Sequence, residues 1–188
     1  MLAAWLLVGC GAKAEPVPGE QPTDLGAPDP QSHLERSLAL EQAGDLAAAF
    51  VEAEAAVAAG GGRDAVIHAA KLAILRKDHD TALAFVRPLV EADPTDAVAL
   101  YNLALAHQHK GDYNEARNGY LAALKTDPKQ ADARYNLAVL CFDRGIHEEA
   151  RHHAARFRSS FADDPRGPAL EHMVGGLGAA SPSAVPVP

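Results

Sequence analysis

From residue 30 onward, apolar positions recur at spacings of three and four, the spacing that keeps side chains on one face of a helix. Turn and stop signals break this pattern at regular intervals: Gly44-Asp45, Asp93-Pro94, Gly111-Asp112 and Asp127-Pro128. Stretches 97–130 and 131–164 superimpose at a spacing of 34 residues, and 63–96 fits the same template. Alanine stays in phase throughout, with Ala70, Ala104 and Ala138 in the first helix of each copy and Ala82, Ala116 and Ala150 facing them from the second. The run Tyr101-Asn102-Leu103-Ala104 returns as Tyr135-Asn136-Leu137-Ala138. Each copy therefore predicts two antiparallel helices that approach closely. In copy 97–130, Asp96 is placed to cap the first helix and Gly111 to end it, while Asp112 with Glu115 forms a capping pair for the second. The Asp-Pro steps close the second helices, because the residue before a proline is pushed out of the α region.

In copy 97–130, Leu100, Leu103, Ala104, His107, Gly111, Tyr113, Ala116, Tyr120, Ala123 and Pro128 stand where a tetratricopeptide repeat places Trp, Leu, Gly, Tyr, Gly, Tyr, Ala, Phe, Ala and Pro. The chain resembles that family over about 70% of its length. The resemblance implies an all-α solenoid of four helix-turn-helix repeats forming a short right-handed superhelix. It divides the chain into a degenerate first repeat at 30–62, repeats at 63–96, 97–130 and 131–164, and a closing helix within 165–177. Residues 178–188, rich in Ala, Pro and Ser, read as a disordered tail. The last repeat departs from the template: Ala154 and Phe157 exchange the large and small positions, which predicts a shifted packing angle for its second helix.

Composition agrees with a helical reading, since 48% of the 188 residues are hydrophobic but only 5% are aromatic. The net charge is −8, and nine of the 25 acidic residues fall in 11–62, against two basic ones. A nucleic-acid partner would need a basic face to neutralise phosphates, and none is evident.

The first residues form an apolar run ending in Leu7-Val8-Gly9-Cys10, which resembles a bacterial lipobox. The resemblance implies a signal peptide at 1–9 and lipidation of Cys10, and with it anchoring to a membrane. The run is too short to span a bilayer, which needs about 20 residues. No Lys or Arg precedes it, a departure from secretory signals. Residues 10–31 follow as a tether, with Pro16, Pro18, Pro22, Pro28 and Pro30 and four acidic residues preventing helix and core formation. Position 11 is Gly rather than the Asp that retains some lipoproteins in the inner membrane, so the expected location is the outer membrane, facing the periplasm. A soluble cytoplasmic adaptor is the alternative.

In the resembled family the first helices line a concave groove that receives a protein or peptide partner. Carried over by position, the groove is Ile67, Lys71 and Ile74, then Tyr101, Leu105, Gln108 and His109, then Tyr135, Val139 and Phe142. This mostly apolar stripe suits a polypeptide laid in the groove with Tyr as anchor; packing of Ile74 and Phe142 on neighbouring helices is the competing reading. Asn102 and Asn136 read as structural, bonding a neighbouring helix's backbone, because Tyr101, Leu105, Tyr135 and Val139 around them do not make a carboxylate clamp. Nine histidines raise a metal-binding alternative, but His107 and His109, or His152 and His153, stand at spacings that diverge around a helix rather than converge on one ion. Cys141 falls on an inward position and reads as a buried thiol. No phosphate-binding Gly loop, nucleophile motif or His-Glu zinc signature occurs, so neither enzymatic activity nor a cofactor is expected. The combined expectation is a membrane-anchored interaction scaffold of the bacterial cell envelope.

Overall fold

A computed structural model describes residues 29–176. Cys10, the tether up to residue 28 and the tail at 178–188 lie outside the described residues. Among those described, nine helices follow one another: α1 (Pro30–Gln42), α2 (Leu46–Ala58), α3 (Gly62–Leu75), α4 (His79–Ala92), α5 (Ala97–Lys110), α6 (Tyr113–Thr126), α7 (Ala131–Asp143), α8 (His147–Ser160) and α9 (Gly167–Gly175). No strand occurs among the described residues. The first eight helices pair in order into four hairpins, and each hairpin stacks on the next through α2 on α3, α4 on α5 and α6 on α7. First helices also meet one another, α3 against α5, and α9 packs on α8 and α7.

Local signals set these boundaries. Asp29, Asp45, Asp78 and Asp96 each accept hydrogen bonds from backbone N–H groups in the first turn of the helix that follows, satisfying donors that otherwise have no partner. Gly111 ends α5 in the left-handed region at φ 95°, and Gly44 and Gly145 take the same role after α1 and α7. Asp93 and Asp127 leave the helix in extended conformations ahead of their prolines. One capping expectation fails: the Asp112 carboxylate makes no cap bond to α6 and instead lies 3.2 Å from Nδ1 of His107, an imidazole that competes for it from the last turn of α5. Helix α4 also runs through Pro88, which removes one intrahelical donor without ending the helix.

The alanines at the 34-residue interval are all part of the buried interior. Ala70, Ala82, Ala104, Ala116, Ala138 and Ala150 all have 0% of their surface exposed. At Gly119 on α6 the helices approach closely: a Cβ there would lie 2.8 Å from Cβ of Ala104. Larger side chains fill the spaces between these contacts, with Tyr120, Leu72, Leu137 and Phe157 fully buried. Phe157 sits edge-on to Tyr135, with ring centres 5.6 Å apart, and against Phe161 at 5.3 Å, so the exchanged large and small positions of α8 still close a continuous core that takes in Leu170 and Val174 of α9.

Polar staples recur across the stack at nearly the repeat length. Arg63 at the start of α3 grips both oxygens of Asp96, at 2.5 and 2.8 Å, while the same carboxylate caps α5. Arg117 binds Glu149 through two bonds at 2.8 and 2.9 Å, and Arg166 bonds Asp164 at 2.8 Å and Asp132 at 2.7 Å. Bidentate geometry makes such pairs more specific than single exposed ion pairs, which contribute between about 0 and 1 kcal/mol.

Replacing Leu137 by Ala removes a fully buried side chain from the α7 layer and should cost about 2 to 5 kcal/mol. Urea unfolding followed by circular dichroism measures it; a loss well under 1 kcal/mol would mean that the α7 layer carries little of the core's stability.

Candidate functional site

The proposed groove positions do not form one uniform stripe. Four of them, Lys71, Ile74, Leu105 and His109, meet around a cavity of about 600 Å³ between the C-terminal half of α3, the start of α4 and α5. Leu75, Lys77 and His79 complete its wall. Ile74 is only 6% exposed and belongs to the core as well as to the cavity floor, while Leu75 is 48% exposed. His79 and His109, both on its wall, stack with ring centres 6.0 Å apart, and burial lowers the pKa of His109 below its usual value. Lys71 bonds the Glu41 carboxylate of α1 at 2.8 Å.

The remaining positions are engaged within the protein. Tyr101 is half-buried, its ring tilted against that of Tyr120 with centres 5.9 Å apart, and its hydroxyl accepts a bond from Nδ2 of Asn136 at 3.2 Å. Gln108 accepts a 2.6 Å bond from the Tyr120 hydroxyl, whose pKa burial raises. Tyr135 lies beneath the Arg166 guanidinium, 5.0 Å from its ring centre. Phe142 packs edge-on to His147. Ile67 and Val139 are half-buried, and neither lines this cavity.

Asn102 and Asn136 are structural, but not through a neighbouring backbone. Asn102 donates to Val98 O within its own helix, at 2.8 Å, and Asn136 reaches the Tyr101 side chain of the preceding repeat. The Tyr101 hydroxyl stands within reach of Asn136 and offers an acceptor. The same position in the second repeat is His68, buried beside Ser37, with Nε2 2.8 Å from the hydroxyl, which itself donates to Ala49 O.

Cys141 is fully buried, and burial pushes its thiol up to about 11, which suppresses the nucleophilic thiolate. Among the described residues no group of three His, Cys, Asp or Glu side chains converges on a metal position. No helix among them is long and apolar enough to cross a membrane.

One wall residue was invisible to the periodicity of apolar positions. Lys77 occupies the turn position that Gly44, Gly111 and Gly145 hold in the other hairpins, and it keeps their left-handed backbone at φ 64°. The departure from Gly is visible in the repeat alignment, but its place on the cavity wall required the fold.

Stacked helical hairpins with a cleft across their first helices form an α-solenoid, an architecture that presents an extended surface along the stack. A family profile described as anaphase-promoting complex, cyclosome, subunit 3 matches residues 76–157. Among solved structures, TTC0263, a thermophilic TPR protein in Thermus thermophilus, aligns with TM-score 0.68 at 18% identity, covering 79% of this chain and 83% of its own. MamA from Desulfovibrio magneticus RS-1, residues 41 to the end, gives 0.63 at 20% identity, covering 73% and 78%. YrrB, described as a TPR protein with an unusual peptide-binding site, gives 0.62 at 18% identity, covering 76% and 74%. No curated protein sequence matches the chain. The described residues have the fold of tetratricopeptide-repeat proteins.

A buried imidazole makes this fold sensitive to acid. His153 on α8 is 7% exposed, and burial first, then His152, lowers its pKa to about 4 against the pull of Glu149. In the unfolded chain it would bind a proton near 6.5. The stability from its neutral form is therefore complete above pH 6.5 and is lost as pH falls toward 4, by at most about 3 kcal/mol. His68 and His109, also lowered by burial, act in the same direction. Below about pH 3.8 the loss continues, because Arg63 and Arg166 hold Asp96 and Asp164 down at about 2. Urea midpoints measured from pH 7.5 to 4 should fall, and His153→Gln should flatten the decline; an unchanged slope in the variant would remove His153 from this account.

Proposed function

We propose that this chain is a protein-interaction scaffold that holds a partner polypeptide in the cleft crossing α3 and α5, and that a lipid on Cys10 anchors it in the bacterial cell envelope, on the periplasmic face of the outer membrane. The cavity carries the first part. Lys71, Ile74, Leu105 and His109, brought together from two repeats, surround a mostly apolar opening of the size that small ligands or side chains fill. The peptide-binding site named for YrrB supports the same use of a related fold. Leu7-Val8-Gly9-Cys10 and the proline-rich stretch behind it support the anchor, which would leave the repeat array projecting from the lipid surface. Engagement of the Tyr101 hydroxyl by Asn136 and of the Tyr135 ring by Arg166 leaves the aromatic part of the first-helix face to positioning and packing.

Affinity capture from detergent-solubilised envelopes, followed by mass spectrometry, tests the scaffold. Leu105→Glu places a charge in the cleft wall and should remove the partners captured by the parent protein, with circular dichroism showing that the variant keeps its helical fold at the capture temperature. Unchanged capture would place binding elsewhere on the molecule. Metabolic labelling with a fatty-acid analogue tests the anchor separately: the parent chain should carry the label and Cys10→Ala should not. A variant that stays labelled, or a parent chain found unlabelled in the cytosolic fraction, would contradict anchoring at Cys10.

A further inference from the structure

Three of the four hairpin turns place Gly in the left-handed region, and glycine enters it without the Cβ clash that other residues meet. The turn between α3 and α4 places Lys77 there instead, at φ 64°. Open space surrounds the glycines at 44, 111 and 145, so nothing about the turn itself calls for a long side chain. Backbone strain kept at one position, where the sister positions avoid it, points to a use for the side chain.

That use is visible in what surrounds it. Lys77 lines the apolar cleft with Ile74, Leu75 and Leu105. Two ammonium groups and two imidazoles edge the cleft, and among the described residues no carboxylate lines it, on a chain whose net charge is −8. Lys71 is already paired with Glu41, whereas Lys77 makes no ion pair among the described residues. Nδ1 of His79, on the same wall, is buried without a hydrogen-bond partner there. The wall therefore offers an uncommitted cation beside an apolar floor.

Resting on the scaffold reading above, we propose that this cleft selects a polypeptide segment in which a bulky apolar side chain is flanked by Asp or Glu, the side chain entering between Ile74, Leu75 and Leu105 and the carboxylate pairing with Lys77. Charge complementarity favours this occupant over a basic segment, which would meet Lys77 with like charge.

The test uses the full chain as bait for a phage library of randomised nonapeptides. Enriched peptides should carry a bulky apolar residue next to Asp or Glu. A synthetic fluorescent peptide with Leu-Phe between acidic flanks should bind, by anisotropy, at least about tenfold more tightly than its Lys-flanked counterpart, a difference of about 1.4 kcal/mol. Lys77→Gly should abolish that preference and at the same time raise the melting temperature, because it relieves the turn. Lys77→Arg should keep the preference. A residue with only a structural role would not separate stability from charge selectivity in this way. Equal binding of acidic and basic peptides, or a preference that survives Lys77→Gly, overturns the proposal and leaves the groove reading in place. Failure to enrich any peptide also overturns it, and the envelope capture with Leu105→Glu then judges the scaffold reading independently.

Discussion

Close approach of helices at small side chains is the constraint on which this architecture rests. Ala70, Ala82, Ala104, Ala116, Ala138 and Ala150, in phase along the repeats, are all inaccessible to water, and the helices of the third hairpin meet where Ala104 faces Gly119. Interiors are packed to crystal-like density, so one added methylene at such a contact must displace a neighbour. At Gly119 not even a methyl group fits beside Ala104. With the contacts repeating at a constant interval, each hairpin presents to the next the same surface that it received, and the stack propagates by nearest-neighbour packing.

That constraint also explains what could be read from the sequence. The interval of 34 residues, the phased alanines, the Asp96 cap and the Asp-Pro stops are local or periodic, and they were legible in the sequence. Pairings between repeats were not. Arg63 with Asp96, Arg117 with Glu149 and Asn136 with Tyr101 join residues 32 to 35 apart, and which partners meet depends on how the hairpins stack. Asp112 shows the limit of a capping motif, since its spacing to Glu115 fits but the His107 imidazole takes the carboxylate. At the candidate site, positional carry-over identified Lys71, Ile74, Leu105 and His109, which share a cavity. It did not foresee that Gln108 would be tied to Tyr120 or that Arg166 would cover Tyr135.

The division of the first-helix face has a consequence for recognition. Toward the C-terminal end, aromatic side chains are held by hydrogen bonds, ring contacts and the Arg166 guanidinium, which fixes the geometry of the scaffold. Between the second and third repeats, the surface opens into a cleft bordered by cations on a molecule that is acidic as a whole. A rigid frame beside an open apolar cleft is an arrangement suited to binding without large rearrangement, since the ordering cost has largely been met in folding.

The measurement that bears most directly on the packing constraint is a double-mutant cycle at Ala104 and Gly119. Helix propensity alone would make Gly119→Ala stabilising by up to about 1 kcal/mol. The close contact with Ala104 predicts the reverse sign, a destabilisation, that shrinks or disappears when Ala104→Gly makes room for the added methyl group. If Gly119→Ala instead raised stability by the same amount in both backgrounds, the helices would not be limited by contact at these positions, and the central claim would be contradicted.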